Sequence, residues 1–416
     1  MKVLLLTFGS AGDIYPFIRL GQAMTERGHQ IRLACPPAFQ EEAMFAGLKY
    51  IPLPRRHTLE KLKEEMLGTS RQGHPLFVLR RLYKAMAAFM HETAEVLEAH
   101  LPWADILVTS FLCSYLKGYA DRARVPFVLL GFLPTLVPDA LMPPTGLPEL
   151  RNLPVRLRRI YCSVFWRLAD WVPQFMMWRR YRRHFSQCGV ALNNHLFLKP
   201  AERVLIAASP AVVTGANFDR HRYRYTGYLR WQKQQNDTDE LERLKDFLKG
   251  RKAPVITFGS VIFDDSQSLM DEFLETWPDD KPLVIQRGWA DFKLPQQREQ
   301  VHIAGPMSHD ALFAFATCIV HHGGAGTTGS ALSAGVPQVV VPHLGDQFYW
   351  AAQVTRLRCG VKLARTNWPQ HLAERIRNVL EPPYTRSAGK VAQQLTEEDG
   401  PANAVRELES FVAEHA

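Results

Sequence analysis

Three groups of residues in this chain have the types and spacing to do chemistry. The first is His321-His322-Gly323-Gly324-Ala325-Gly326-Thr327-Thr328, which follows an apolar segment at 316–320 and opens into a short helical stretch ending at Gly335. A strand, a glycine turn and a helix start in that order present unpaired backbone N–H groups and about half a positive charge to an anion. Glycines also let a phosphate come close to the backbone. The pattern describes a diphosphate seat at Gly324, Ala325, Gly326, Thr327 and Thr328, with His322 as a donor over it and the threonine hydroxyls adding to the first turn. A glycine turn made for packing alone is the equal alternative. The Walker pattern is absent, because no Lys-Ser or Lys-Thr closes the turn, and the spacing is not a dinucleotide fingerprint. The second group is Asp346-Gln347, an acid and an amide ending the buried run that continues from Gly335. The third is Asp13, in Gly9-Ser10-Ala11-Gly12-Asp13-Ile14-Tyr15-Pro16. Two roles suit it: a turn or capping residue ahead of Pro16, with that proline in the first turn of a helix, or a general base at the carboxyl end of a strand, where open α/β sheets place ligands.

These groups need strands and helices to hold them. The first apolar run reads as a strand, followed by a helix to about residue 27 and a strand at 30–34, a βαβ opening that predicts a parallel sheet. Its GxxG spacing, with Cys35 ending the second strand, is not a dinucleotide site. Further strands are predicted at 47–53, 104–109, 125–130, 212–214 and 223–226, with amphipathic helical sequence at 76–99 and a proline-rich stretch at 133–154. The pattern then restarts, with strands at 254–258, 282–286, 301–303, 316–320 and 338–341 and final helices at 370–380, 385–395 and 402–413. The fold class expected is therefore α/β, two doubly wound Rossmann-like domains: 1–229, a polar linker at 230–240, and 241–416. Within the linker, Asp237-Thr238-Asp239 has the DxD form of a metal motif, but its place in a polar stretch points to a helix cap, so no metal site is assigned. Ser260 follows the first strand of the second half; it is either a turn serine or a phosphate donor.

Composition narrows the class. The chain has 416 residues, 46% of them hydrophobic and 22% charged, which describes a globular protein of about two domains. Six cysteines are scattered, with no CxxC pair and no nearby histidine at ligand spacing, so a reduced, cytoplasmic setting is expected. The N-terminus lacks a signal-peptide pattern, and no apolar run reaches the roughly 18 residues that span a bilayer. Part of the net charge of +9 is concentrated in 151–185, where arginines alternate with Phe165, Trp166, Trp171 and Trp178. That segment suits either an interfacial helix on anionic lipid or a core-facing helical pair with solvated arginines. No nucleic-acid-binding motif is present.

The donor-side sequence, HHGGAGTTGSALSAGVP followed by GDQFYWA, resembles the nucleotide-sugar-dependent glycosyltransferases of the GT-B fold. Within them it resembles the family-1-like group of sterol and lipid glucosyltransferases, rhamnosyltransferases and antibiotic glycosyltransferases. The resemblance implies two Rossmann-like domains facing across a cleft, with the last helix crossing back onto the first. It implies that His322 and the following turn bind the donor diphosphate, that Asp346 and Gln347 hold the sugar hydroxyls, and that Met307 contacts the nucleobase. GSAGDIYP is similar to the family's acceptor-side loop, which assigns Asp13 as catalytic base with Gly12 and Ile14 beside it. Plant members carry a histidine at the position of Asp13, oriented by an aspartate where Thr109-Ser110-Phe111 stands here, and a ribose-binding glutamate where Ser330 stands. The activity implied is inverting, metal-independent transfer of a hexose from a nucleotide sugar, UDP-glucose favoured, to a lipophilic alcohol, with no further cofactor. Rivals are a dTDP-rhamnose-dependent rhamnosyltransferase, a nucleotide-sugar 2-epimerase and a non-catalytic nucleotide-sugar-binding helper. Peripheral membrane contact would run through 151–185.

Overall fold

The computed structural model describes residues 1–54, 89–144, 147–191, 195, 197–213, 219–231, 238–259, 266–288, 298–343 and 345–415. The chain forms two compact units. One holds residues 1–54 and 89–231 together with Asp399–Ala416, and the other holds 238–398.

The first unit runs β1 (Lys2–Leu6), α1 (Ala11–Glu26), β2 (Gln30–Cys35), α2 (Gln40–Phe45), β3 (Lys49–Pro52), α3 (Met90–His100), β4 (Ile106–Ser110), α4 (Lys117–Ala123), β5 (Phe127–Gly131), α5 (Val155–Gln187), β6 (Arg203–Ile206) and β7 (Tyr223–Tyr225). Its sheet has the order β3-β2-β1-β4-β5-β6-β7, with every neighbour parallel. Parallel sheets are covered on both faces, so their central strands read as unbroken apolar runs. Val3, Leu4, Leu5 and Leu6 of β1 are all fully buried, each contributing about 1.5–3 kcal/mol by leaving water.

The second unit repeats the plan with α6 (Thr238–Leu248), β8 (Ala253–Thr257), α7 (Ser266–Thr276), β9 (Leu283–Gln286), β10 (Val301–Ala304), α8 (His309–Phe313), β11 (Ala316–His321), α9 (Ala325–Ser333), β12 (Gln338–Val340), α10 (Gln347–Arg356), β13 (Gly360–Lys362), α11 (Trp368–Val379) and α12 (Pro382–Thr396). Its parallel order is β10-β9-β8-β11-β12-β13. Trp368 of α11 is fully buried against Phe258 and Phe273, closing one face of this sheet. The last helix, α13 (Gly400–His415), belongs to the first unit and packs on α1.

Several expectations need correction. Val212, predicted in a strand, lies in a turn with its N–H on the Ser209 carbonyl, and Thr214 lies outside the described residues. The strand is β6 instead, four residues headed by Arg203, whose place is set by its parallel pairing with β5. The three-residue β13 was also missed; its place is set by parallel pairing with β12. Pro16 stands inside α1 rather than in its first turn, because the helix already starts at Ala11. The basic aromatic segment is one 33-residue helix, α5, not a pair. Of the predicted helix at 76–99, the part from Met90 is seen as α3, and the rest lies outside the described residues.

Candidate active site

In both sheets the strand order reverses once, between β1 and β4 and between β8 and β11. Open α/β sheets bind ligands outside the carboxyl ends of the strands at such a switch point. The turn leaving β1 leads to Asp13 in the first turn of α1, and the turn leaving β11 carries His322.

Asp13 is held by the start of α1. Ser10 is the N-cap, with extended backbone, and Asp13 fills the third helical position. Its Oδ2 accepts from the Ser10 N–H at 2.9 Å and from Ser10 Oγ at 3.2 Å, a capping box with an acid in the usual Glu/Gln place. Gly9 makes room for this carboxylate. It sits at φ +125°, and a Cβ there would lie 2.2 Å from Asp13 Oδ2. Burial pushes the Asp13 pKa up to about 6, with the two Ser10 hydrogen bonds opposing the rise. A carboxylate so tuned is mostly ionised at neutral pH yet basic enough to take a proton in a transition state. The two roles open in the sequence are thus compatible: capping uses Oδ2, and among the described residues no hydrogen bond reaches Oδ1.

Around it, Ser110 and Cys113 meet at 3.3 Å beyond the end of β4, and burial pushes the Cys113 thiol up to about 12, so it stays protonated. Gly12, in the first turn of α1, is exposed. Ile14, expected beside the acceptor, is fully buried; its side chain belongs to the core beneath α1.

The other loop is built around two histidines. His321 is fully buried, and burial lowers its pKa to about 4. It is therefore neutral, and the hydrogen-bond network assigns the tautomer: Nε2–H donates to Gln338 Oε1 at 2.8 Å, and Nδ1 accepts from the Gly323 N–H at 3.0 Å. That second bond pins the turn. Gly323 lies at φ +89°, with no room for a Cβ against Val340 and the Gln347 carbonyl.

The His322 ring lies over the start of α9. A Cβ on Gly324, the N-cap of α9, would stand 2.4 Å from His322 Nε2, and one on Gly259, after β8, would stand 3.3 Å from Cε1. Burial, and then the neighbouring His321, His343 and His309, push the His322 pKa well below its usual value, so the ring is a neutral donor–acceptor. Its Nδ1 is buried and has no hydrogen-bond partner among the described residues. An unsatisfied buried polar atom is costly and rare.

The helix start is accessible at Gly324 and Ala325, half-buried, and at Gly326, exposed. Thr327 is largely buried. Thr328 lies deeper: its N–H bonds the Gly324 carbonyl at 2.9 Å and its side chain is fully buried. The open backbone donors are therefore those of residues 325–327, and the hydroxyl expected from Thr328 is not presented at the surface.

Gln347 begins α10 and is buried, with its Oε1 accepting from the His343 N–H at 2.7 Å; Asp346, before it, is half-buried. Met307 is buried, and its carbonyl accepts from Gln286 Nε2 at 2.9 Å, while Gln286 Oε1 accepts from Thr257 at 2.8 Å. That carbonyl is thus engaged in holding the loop after β10. Ser260 lies outside the described residues, as does Asp237 of the DxD triplet, whose Asp239 sits in the first turn of α6. Sequence reasoning missed the supporting residues Gly9, Ser10, His321, Gln286 and Gln338. The pairing of two histidines was a usable signal for His321; nothing local marks Gln338, 17 positions away, as its partner.

Known proteins share sequence and fold with this chain. Residues 3–111 match the Glycosyltransferase family 28 N-terminal domain, and residues 292–411 match the Erythromycin biosynthesis protein CIII-like, C-terminal domain. A sterol 3-beta-glucosyltransferase of Debaryomyces hansenii is 24% identical over 97% of this chain, which spans 26% of that relative's length. The uncharacterized glycosyltransferase ML2348 of Mycobacterium leprae is 27% identical, over 98% of this chain and 96% of its own. The solved structure of glycosyltransferase VinC in complex with DTDP superposes with a TM-score of 0.64 at 19% identity, covering all of both chains. With the same two doubly wound sheets and both halves matched, the chain belongs to the GT-B glycosyltransferases of the family-1-like group.

Proposed function

We propose that this chain is an inverting transferase that moves a hexose from a nucleotide sugar, UDP-glucose favoured, to a hydroxyl of a lipophilic acceptor such as a sterol, lipid or polyketide-like alcohol. The observation that carries the reading is His322: a neutral imidazole over an open helix N-terminus at a switch point, with Nδ1 buried and unpartnered among the described residues. In this reading the N–H groups at 325–327 and His322 hold the diphosphate as its leaving-group charge develops, in place of a cation. Each well-aimed donor of this kind is worth about 2.7–4 kcal/mol in the transition state. Asp13 takes the proton from the acceptor hydroxyl as it attacks the anomeric carbon from the opposite face, a contribution of about 10²–10⁴-fold. Asp346 and Gln347 contact the sugar hydroxyls, and the loop at Met307 contacts the base.

The likeness to sterol 3-beta-glucosyltransferases favours glucose and a sterol-like acceptor. A dTDP-sugar donor is the second reading, favoured by Ser330 where a ribose-holding glutamate would stand and by the DTDP bound in the VinC structure. A peripheral hold on an anionic membrane fits a lipophilic acceptor in either case. The test is calorimetry with UDP and dTDP on the wild type and His322→Ala, followed by an acceptor screen with UDP-glucose and dTDP-rhamnose read by mass spectrometry. The reading expects diphosphate binding that His322→Ala weakens at least about tenfold, a loss of 1.4 kcal/mol. Equal affinity in both proteins would remove the seat from His322.

A further inference from the structure

Among its described side chains, the first half of helix α5, residues 155–171, turns one side inward and exposes the opposite side. Cys162, Trp166 and Asp170 are turned inward, with Trp166 Nε1 donating to the Met142 carbonyl at 2.8 Å. Diametrically opposite, Leu157, Ile160, Val164, Leu168 and Trp171 are 46–62% exposed. Their spacing of three, four, four and three residues places all five within about 40° of one line along the helix. A stripe of this kind on a surface helix marks an interaction site.

Charge identifies the partner. Between residues 155 and 187 the sequence has eight arginines and a single acid, Asp170. Asp170 is buried, accepting from the Phe197 and Leu198 N–H groups and paired with His195. The acid thus faces the protein, while Arg156 and Arg167 are exposed along one border of the stripe and Arg182 is exposed in line with it. A second copy of this helix would bring arginines against arginines. We propose that this face of α5 docks in the plane of an anionic lipid bilayer, with the five apolar side chains in the acyl boundary and the arginines at the headgroup phosphates. The surface adds a partner to the acceptor reading above, and the two fail separately.

The experiment is co-sedimentation of the full chain with vesicles of phosphatidylcholine and phosphatidylglycerol in equal parts, and with phosphatidylcholine alone. Binding is expected to the mixed vesicles, at least about tenfold weaker to the neutral ones, and weakened by salt. Val164→Glu with Leu168→Glu is expected to abolish it, and Arg156→Glu or Arg167→Glu to weaken it about fivefold each. All four positions are exposed, so melting temperature and UDP affinity should match the wild type, which shows the variants are folded. Equal binding by wild type and the Val164→Glu/Leu168→Glu variant overturns the proposal. So does a wild-type dimer in solution that the same pair of substitutions dissolves, because the face is then covered by a second copy. Loss of UDP binding in the wild type would instead count against the transferase reading.

Discussion

At the scale of single residues, what matters is how a carboxylate and an imidazole are tuned. Asp13 is raised to about 6 from an unfolded-state value of 3.8, so the folded chain holds this proton more tightly than the unfolded one. Its favourable contribution is fully present below pH 3.8 and lost as pH rises through 6. Asp13→Asn removes that penalty; its melting temperature at pH 7.5 should equal or exceed the wild type's, and the difference should shrink towards pH 4. Transfer activity should fall by at least about 10²-fold in the same variant. In the wild type, activity should drop tenfold per pH unit below about 6, following ionised Asp13; a flat profile between pH 7 and 5 would show that another group is the base. Gly9→Ala tests the same carboxylate from the backbone side. Its new Cβ would lie 2.2 Å from Asp13 Oδ2 at a φ of +125°. Transfer should be largely lost with nucleotide affinity intact, and full activity in this variant would mean that the carboxylate's position is immaterial.

At the scale of elements, the turn between β11 and α9 is set by a partner brought in from a neighbouring strand. Gln338 on β12 fixes the His321 tautomer, which leaves Nδ1 free to accept from the Gly323 N–H and so shapes the loop that carries His322. His321→Leu keeps the volume but strands Gly323 N–H and the Gln338 side chain. We expect a stability loss of about 1–3 kcal/mol in urea unfolding, together with weaker UDP binding. Unchanged binding would show that α9 keeps its start without this brace. The long helix α5 shows why a basic aromatic segment was ambiguous in sequence. Core packing at Cys162 and Trp166 and the exposed side chains from Leu157 to Trp171 occur on opposite sides of one helix, and composition alone does not separate the two faces.

At the scale of the molecule, the chain returns to its first unit at the end. Arg203 of β6, buried, pairs with Glu407 and Glu414 of α13 at 3.0 Å each; Arg224 adds to Glu407, and His29 meets Glu409 at 2.9 Å. Arg203→Ala should therefore destabilise the first unit by about 1–3 kcal/mol, the partner glutamates being partly in water. The melting transition protected by UDP should stay in place, and a shift of that transition would mean that the two units unfold together. Much of this architecture was legible in sequence, because βα alternation and apolar runs such as 3–6 and 316–320 depend on local periods, and the run from His321 to Thr328 carries its own turn chemistry. The strands β6 and β13 were not, since their places are set by parallel pairing with β5 and β12, which no local pattern displays. The sequence by itself determined the parallel α/β plan, the helix start after His322 and the place of Asp13 just after the first strand. Only the tertiary structure decided the strand orders that put both loops at switch points, the burial that makes His322 neutral and Asp13 basic, the withdrawal of Ile14 and Thr328, and the return of α13, because each depends on contacts between residues far apart in the chain.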